Sequence, residues 1–114
     1  MSDCIFCKIA AKEIPSQLVY EDERVIAIND IQPAAPVHIL VIPKKHSANI
    51  MEIAADDQGI AGYVMEVIPQ IAAQAGLAEE GFRVVVNTKE IGGQTVPHIH
   101  WHLLGGRNMK WPPG

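Results

Sequence analysis

No stretch of this 114-residue chain approaches 18 consecutive apolar residues, so no membrane span is expected. The opening Met1-Ser2-Asp3-Cys4 holds no basic segment followed by an apolar one. A secretory leader is therefore not expected, and the cytoplasm is the expected location. Basic residues are scarce: nine Lys and Arg stand against 13 Asp and Glu, for a net charge of -4. A general nucleic-acid binder is normally basic, so nucleic acid is not an expected partner, and any anionic ligand must be held locally. Only two cysteines occur. In a chain without a leader they read as metal ligands or free thiols rather than a disulfide. Repeats and low-complexity linkers are absent. What is present is apolar: 48% of the residues, enough to bury a core in a single domain over residues 1–114.

The apolar patterning predicts α+β. A short helical turn over residues 3–11 ends before Ile14-Pro15. Leu18-Val19-Tyr20 and Val25-Ile26-Ala27-Ile28 read as strands around the charged turn Glu21 to Arg24. Pro33 and Pro36 make the next stretch a loop. His38 to Ile42 reads as a third strand, stopped by Pro43. Ile60, Val64, Val67, Ile68, Ile71, Ala72 and Ala75 recur at helical spacing. Asp56 or Asp57 is the expected cap of that long helix, Gly76 its end, and Pro69 a point of kinking. Phe82 to Asn87 and Ile99 to Leu104 complete five strands, with Gly105-Gly106 closing the last. Short turns between strands and one long inserted helix predict a mainly antiparallel sheet.

The chemistry concentrates in His98-Ile99-His100-Trp101-His102. Alternate residues of a strand share a face. His98, His100 and His102 therefore point one way, while Ile99, Trp101 and Leu103 point into a core. Neighbouring histidines on one strand sit ~7 Å apart and the outer two ~13 Å apart. Three imidazoles so spread cannot easily share one metal, although two can. A histidine near neutral pH can act as nucleophile, base or acid. Attack on phosphorus gives a covalent phospho- or nucleotidyl-histidine, with the flanking imidazoles orienting it and protonating a leaving group. Upstream, Gly92-Gly93-Gln94-Thr95-Val96 offers glycine N–H groups and the side-chain donors of Gln94 and Thr95 to an oxyanion. The bland alternative is a His-rich surface strand.

His98 to Leu104 resembles the signature of the histidine triad (HIT) superfamily, three histidines alternating with apolar residues. The resemblance covers nearly the whole chain: Asp30-Ile31 with Pro33, Ala35-Pro36 and His38; Ile42-Pro43-Lys44-Lys45-His46; Val85-Val86-Asn87; and Gly92-Gly93-Gln94. Gly105-Gly106-Arg107 and Trp111-Pro112-Pro113-Gly114 resemble the nucleotide-binding branch, the nucleoside phosphoramidases. The resemblance implies a HIT-like fold with a short N-terminal helix and a five-stranded sheet extended across a homodimer. It implies that His100 is the nucleophile, that His102 and Thr95 contact phosphate and leaving group, and that His38 hydrogen-bonds in the same network. It further implies Asp30 at the ribose hydroxyls, Asn87, Gly93 and Gln94 around the phosphate, and Phe6, Ile9, Ile28 and Ile31 lining the base pocket. Close relatives often carry an aromatic residue before the triad and Ser in place of Thr95; here Pro97 precedes it. Thr95 keeps the hydroxyl, so the departure bears on leaving-group preference.

Cys4-x-x-Cys7 has zinc-like spacing. A redox role would need a preceding strand, for which position 4 leaves no room. Two unrelated buried thiols are the alternative. Some HIT relatives pair such cysteines with histidines at the places of His46 and His98, which implies a structural zinc here, not required for the chemistry. Lys44-Lys45 reads as a solvated turn, and Met51 and Met65 as core. Trp101 reads as core too, and Trp111, in the tail, as a residue closing a site or an interface. The resemblance implies hydrolysis of purine nucleoside 5'-phosphoramidates to nucleoside monophosphate and amine through nucleotidyl-His100. The alternatives are a dinucleoside polyphosphate hydrolase and a nucleotide- or partner-binding module.

Overall fold

A computed structural model describes residues 3–114; Met1 and Ser2, part of the chain start read for a leader, lie outside the described residues. The elements run α1 (Ile5–Ala10), β1 (Leu18–Glu21), β2 (Val25–Asn29), β3 (Val37–Pro43), α2 (Ile50–Asp56), α3 (Ile60–Gln74), β4 (Arg83–Val85) and β5 (Trp101–Gly105). The strands form one five-stranded sheet in the order β1-β2-β3-β5-β4, and every neighbouring pair is antiparallel. The α+β reading and the short N-terminal helix are observed.

Both faces of the sheet are covered. On one, Val25, Ala27, Ile39, Val41, Trp101 and Leu103 pack against Ile53 of α2 and the apolar stripe of α3, from Ile60 to Ala72. On the other, Ile26, Ile28, Leu40 and Ile42 pack against Phe6 and Ile9 of α1. Two buried faces explain why β2 and β3 are nearly continuous apolar runs instead of alternating ones. Trp101 faces the α3 side, as expected.

Helix α3 ends as its sequence predicts. Gly76 takes φ +80°, its N–H donates to Ala73 O at 3.1 Å, and the Leu77 N–H reaches back to Ala72 O at 2.9 Å. This is a Schellman closure, which requires the left-handed conformation that glycine adopts without strain. Leu77 then packs so tightly on Gly105 that a Cβ there would lie 2.6 Å from a Leu77 methyl.

Several boundaries differ from expectation. Helix α3 is capped by Gly59, with no side-chain bond, and not by Asp56 or Asp57. Asp56 instead accepts from the Ser47 hydroxyl at 2.8 Å, and Asp57 from Arg24 at 3.2 Å. Pro69 lies within α3, which runs on through it to Gln74. Helix α2 is an additional element, started by Asn49, whose side chain accepts from the Met51 N–H. Only Ile53 of α2 is buried, so its apolar signal is weak. Met51 and Met65 are exposed, at 74% and 52%, and are not core. β4 is shorter than the expected 82–87, and β5 begins at Trp101. The Ile99 N–H bonds Ser47 O at 2.7 Å instead of joining the ladder.

Candidate functional site

The triad histidines lie on the α1 face, opposite the Ile99, Trp101 and Leu103 side chains buried under α3. Residues 98–100 precede the formal strand, yet the alternation holds through them. His98 is fully buried, and His100 and His38 nearly so. The rings of His100 and His102 are 4.9 Å apart, closer than the spacing along a strand.

Backbone groups fix which nitrogen of each ring is free. Nδ1 of His100 lies 2.8 Å from His98 O. A carbonyl only accepts, so Nδ1 carries the proton and Nε2 keeps its lone pair. Nδ1 of His38 accepts from the Ala34 N–H at 3.0 Å, which puts the proton of the neutral ring on Nε2. That Nε2 lies 2.9 Å from Nδ1 of His102 and 3.4 Å from Asp30 Oδ2. His102 thereby accepts at Nδ1 and, when neutral, carries its own proton on Nε2. Burial pushes the His102 imidazolium down to about 4, helped by the neighbouring His100 and His38. Burial also lowers that of His100, against the opposing pull of the His98 carbonyl and Asp30. Both shifts favour the neutral ring.

His100 and His102 line a cavity of about 370 Å³ together with Phe6, Ile9, Ile28, Asp30, Ile31 and Thr95. The expected base-pocket residues are thus brought together, with Ile31 at the rim, 90% exposed. Ile5, Asn29, Gln32, Leu40, Val96 and the Ile14 to Gln17 segment complete the wall. Sequence reasoning did not single these out, although Leu40 follows His38 by two residues on one strand face. Asp30 Oδ1 accepts from the Gln32 N–H at 2.8 Å, so this carboxylate shapes its turn while also lining the cavity.

The Gly92-Gly93 loop is arranged differently from the expected oxyanion cradle. The Gly93 N–H bonds Glu90 O and the Gln94 N–H bonds Lys89 O, each at 3.0 Å. The Gln94 amide is occupied as well: it donates to Ala48 O at 2.6 Å and Val96 O at 2.9 Å and accepts from the Lys89 N–H. Gly92 is required by close approach, since a Cβ there would lie 2.4 Å from Thr88 O. A Cβ on Gly93 would come 3.7 Å from Asn87 Nδ2, so Asn87 packs beside this loop, beyond the end of β4. From this segment Thr95 and Val96 line the cavity, and Thr95 is the one that brings a side-chain hydroxyl.

A second group forms beside it. Ligand atoms of Cys4, Cys7, His46 and His98 all lie within 4.8 Å of one another. Nδ1 of His98 is 3.2 Å from Cys4 Sγ, 3.5 Å from Cys7 Sγ and 3.2 Å from His46 Nδ1, and Cys7 Sγ is 3.3 Å from His46 Nδ1. A tetrahedral ion with bonds of about 2.0–2.3 Å holds its ligand atoms about 3.3–3.8 Å apart, so these spacings fit one. His98 Nε2 donates to Pro43 O at 2.8 Å, which turns the bare Nδ1 toward the cluster. Burial and the neighbouring Cys4 push the Cys7 thiol up, and burial lowers the His98 imidazolium to about 4. The donor set is that of a Cys₂His₂ zinc site. No helix among the described residues is long and apolar enough to cross a membrane.

Comparison with known proteins agrees with this geometry. A family model described as HIT domain matches residues 11–109. The chain is 52% identical over 115 residues to a 14 kDa zinc-binding protein of Zea mays, spanning 99% of this chain and 89% of that protein. A crystal structure of a HIT family hydrolase from Legionella pneumophila superposes with a TM-score of 0.94 at 49% identity, covering 98% of this chain and 100% of that one. A histidine triad nucleotide-binding protein from Candida albicans superposes with a TM-score of 0.83 at 34% identity, covering 96% and 83%.

Proposed function

The chain belongs to the histidine triad (HIT) family, and from that premise we propose that it is a nucleotide-binding hydrolase that cleaves the P–N bond of purine nucleoside 5'-phosphoramidates. The observation that carries this reading is the bare Nε2 of His100 on a cavity that also holds a carboxylate and an apolar wall. A plain phosphatase needs only the phosphate; Asp30 with Phe6, Ile9, Ile28 and Ile31 supplies groups suited to a ribose and a base. Similarity to a HIT family hydrolase and to a nucleotide-binding member supports the same class.

In the proposed reaction Nε2 of His100 attacks phosphorus, and the bond to the amine breaks as the P–Nε2 bond forms. His102, its Nδ1 held by His38, presents Nε2–H to a phosphoryl oxygen or the departing nitrogen, and the Thr95 hydroxyl adds a second donor. Water then cleaves nucleotidyl-His100 and releases the nucleoside monophosphate. One water is consumed: its hydroxyl ends on phosphorus and its hydrogen on the amine. Gly93, Gln94 and Asn87 act one step back, shaping the loop that carries Thr95.

Cys4, Cys7, His46 and His98 would hold a zinc ion that stabilises the fold and takes no part in the reaction. Unoxidised thiolate ligands suit the cytoplasm. We read residues 1–114 as a single HIT domain and the active species as a homodimer with its sheet continued past an edge strand, β1 or β4, as in the resemblance. Sedimentation giving a monomer at assay concentrations would remove the dimer. The deciding experiment is turnover of adenosine 5'-phosphoramidate against diadenosine polyphosphates. Faster cleavage of the phosphoramidate supports this reading. Preference for the polyphosphates replaces it with the polyphosphate hydrolase, and binding without turnover of either replaces it with a binding module.

A further inference from the structure

Helix α1 serves both groups of residues. Cys4 and Cys7, at its N-terminal end, face His46 and His98, while Phe6 and Ile9 of the same six-residue helix line the nucleotide cavity. The Phe6 ring stands between the two. Its centroid is 5.9 Å from that of the ligand-type His98 and 4.9 Å from that of His100, edge-on to both at 81° and 76°. The chain leaving α1, from Ile14 to Gln17, continues the same cavity wall.

So short a helix does not hold itself together, because nucleation costs more than one turn of hydrogen bonds returns. Its first turn has no acidic residue to favour the dipole, and its cap is the Cys4 sulfur, 3.3 Å from the Cys7 N–H. The position of α1 therefore depends on two anchors: burial of Phe6 and Ile9 against Ile26, Ile28, Leu40 and Ile42, and the hold on Cys4 and Cys7. Releasing the cysteines leaves only the first anchor, and the nucleotide then has to bear the cost of seating the helix.

Resting on the nucleotide and zinc readings above, we propose that Phe6 is a positioning residue that couples the Cys4-Cys7-His46-His98 cluster to the nucleotide cavity. With the cluster loaded, α1 is held on the sheet, Phe6 is seated against His100 and the cavity wall is complete. Metal loading then strengthens nucleotide binding, and nucleotide strengthens metal retention by the same factor, since the linkage is reciprocal.

The test uses the full chain, zinc and AMP. Competition against a chromophoric zinc chelator gives the zinc affinity with and without saturating AMP. AMP is expected to raise it about fivefold or more, and calorimetry on loaded and stripped protein should return a matching factor in AMP affinity. Phe6→Ala should still take up zinc and bind AMP at higher concentration, but its zinc affinity should no longer respond to AMP; Phe6→Leu should recover part of the response. Zinc affinity indifferent to saturating AMP in the unsubstituted protein overturns the coupling even when both ligands bind. An undiminished response in both variants removes Phe6 from it. Protein that takes up no zinc, or loaded protein that binds no AMP, overturns the zinc or the nucleotide reading on its own, and the coupling with it.

Discussion

Nδ1 of His100 donates to the backbone carbonyl of His98 at 2.8 Å, while the side chain of His98 turns away to the two cysteines. The first histidine of the triad thus orients the second through its main chain and joins the Cys4-Cys7-His46 cluster through its side chain. The two-residue repeat puts both tasks on one extended segment.

That bond leaves Nε2 of His100 with a bare lone pair, as the proposed nucleophile requires, on a ring whose charged form burial disfavours. His100→Ala should lower turnover of adenosine 5'-phosphoramidate roughly a thousandfold or more while AMP binding persists, because neither neighbour presents a bare nitrogen to the substrate. Rapid quenching followed by intact mass measurement should find a nucleotidyl adduct on the unsubstituted protein and none on the variant. Comparable activity in the two proteins would end the mechanism.

The proposed zinc site at Cys4, Cys7, His46 and His98 makes a separate prediction. Protein purified without added metal should contain about one zinc per chain, with Zn–S near ~2.3 Å by X-ray absorption. Stripping it should lower the thermal midpoint by about 5 °C or more, since a ligand that binds only the folded chain contributes to its stability. Metal-free protein with both thiols freely titratable and an unchanged midpoint would remove the site.

Much of this was legible from residue pattern alone. Period-two histidines give the shared face, helical spacing from Ile60 to Ala72 gives α3, and Gly76 gives its end. What was not legible depends on partners far along the chain. The Ile99 N–H is taken by Ser47 O, which delays β5, and Asp56 is taken by Ser47 Oγ, which removes it as a cap. Helix α2 buries one side chain only, so its sequence carries almost no periodic signal. The committed donors of Gly93 and Gln94 are likewise a tertiary fact, because a glycine pair indicates freedom of backbone and not the direction its N–H groups take.

A third prediction concerns acid stability. Asp22 closes the β1–β2 turn, accepting from the Arg24 and Val25 N–H groups at 2.7 and 2.9 Å, and ties that turn to α3 through the Tyr63 hydroxyl as well as to Tyr20. Burial would raise this carboxyl, but the Tyr63, Tyr20, Val25 and Arg24 hydrogen bonds outweigh it and hold it at about 2, below the ordinary 3.8. A depressed folded value means the unfolded chain takes up the proton first. The contribution is full above about 4 and is lost as pH falls toward about 2. Denaturant unfolding of the unsubstituted protein and Asp22→Asn should therefore differ most above pH 4 and converge below it. A difference that is constant from pH 5 to pH 2 would show that the carboxylate charge is not what stabilises the turn.

The last prediction separates the two things Asp30 can do. Its Oδ1 accepts from the Gln32 N–H at 2.8 Å, and its Oδ2 lies 3.4 Å from His38 Nε2, so it has a structural task whatever binds beside it. It also lines the cavity, where a carboxylate can accept from two vicinal ribose hydroxyls. Charge-assisted bonds of that kind contribute about 1.5–3 kcal/mol each. Losing one of them, in a 2'-deoxy ligand, should weaken binding about tenfold or more. The apolar wall formed by Phe6, Ile9 and Ile28 buries more of a purine than of a pyrimidine, so CMP should also bind more weakly than AMP. The two tasks give different signatures on substitution. If Asp30 only shapes its turn, Asp30→Ala weakens AMP and deoxy-AMP by the same factor and leaves their ratio intact. If it holds the ribose, the variant loses the ratio, binding both ligands equally. Asp30→Asn keeps an acceptor for Gln32 and should retain the turn while reducing the ribose preference. Calorimetry with AMP, deoxy-AMP and CMP on the three proteins reads these outcomes directly. Equal affinities for all three ligands in the unsubstituted protein would remove the nucleotide pocket even with His100 proven as the nucleophile, because a site indifferent to base and sugar is binding phosphate alone.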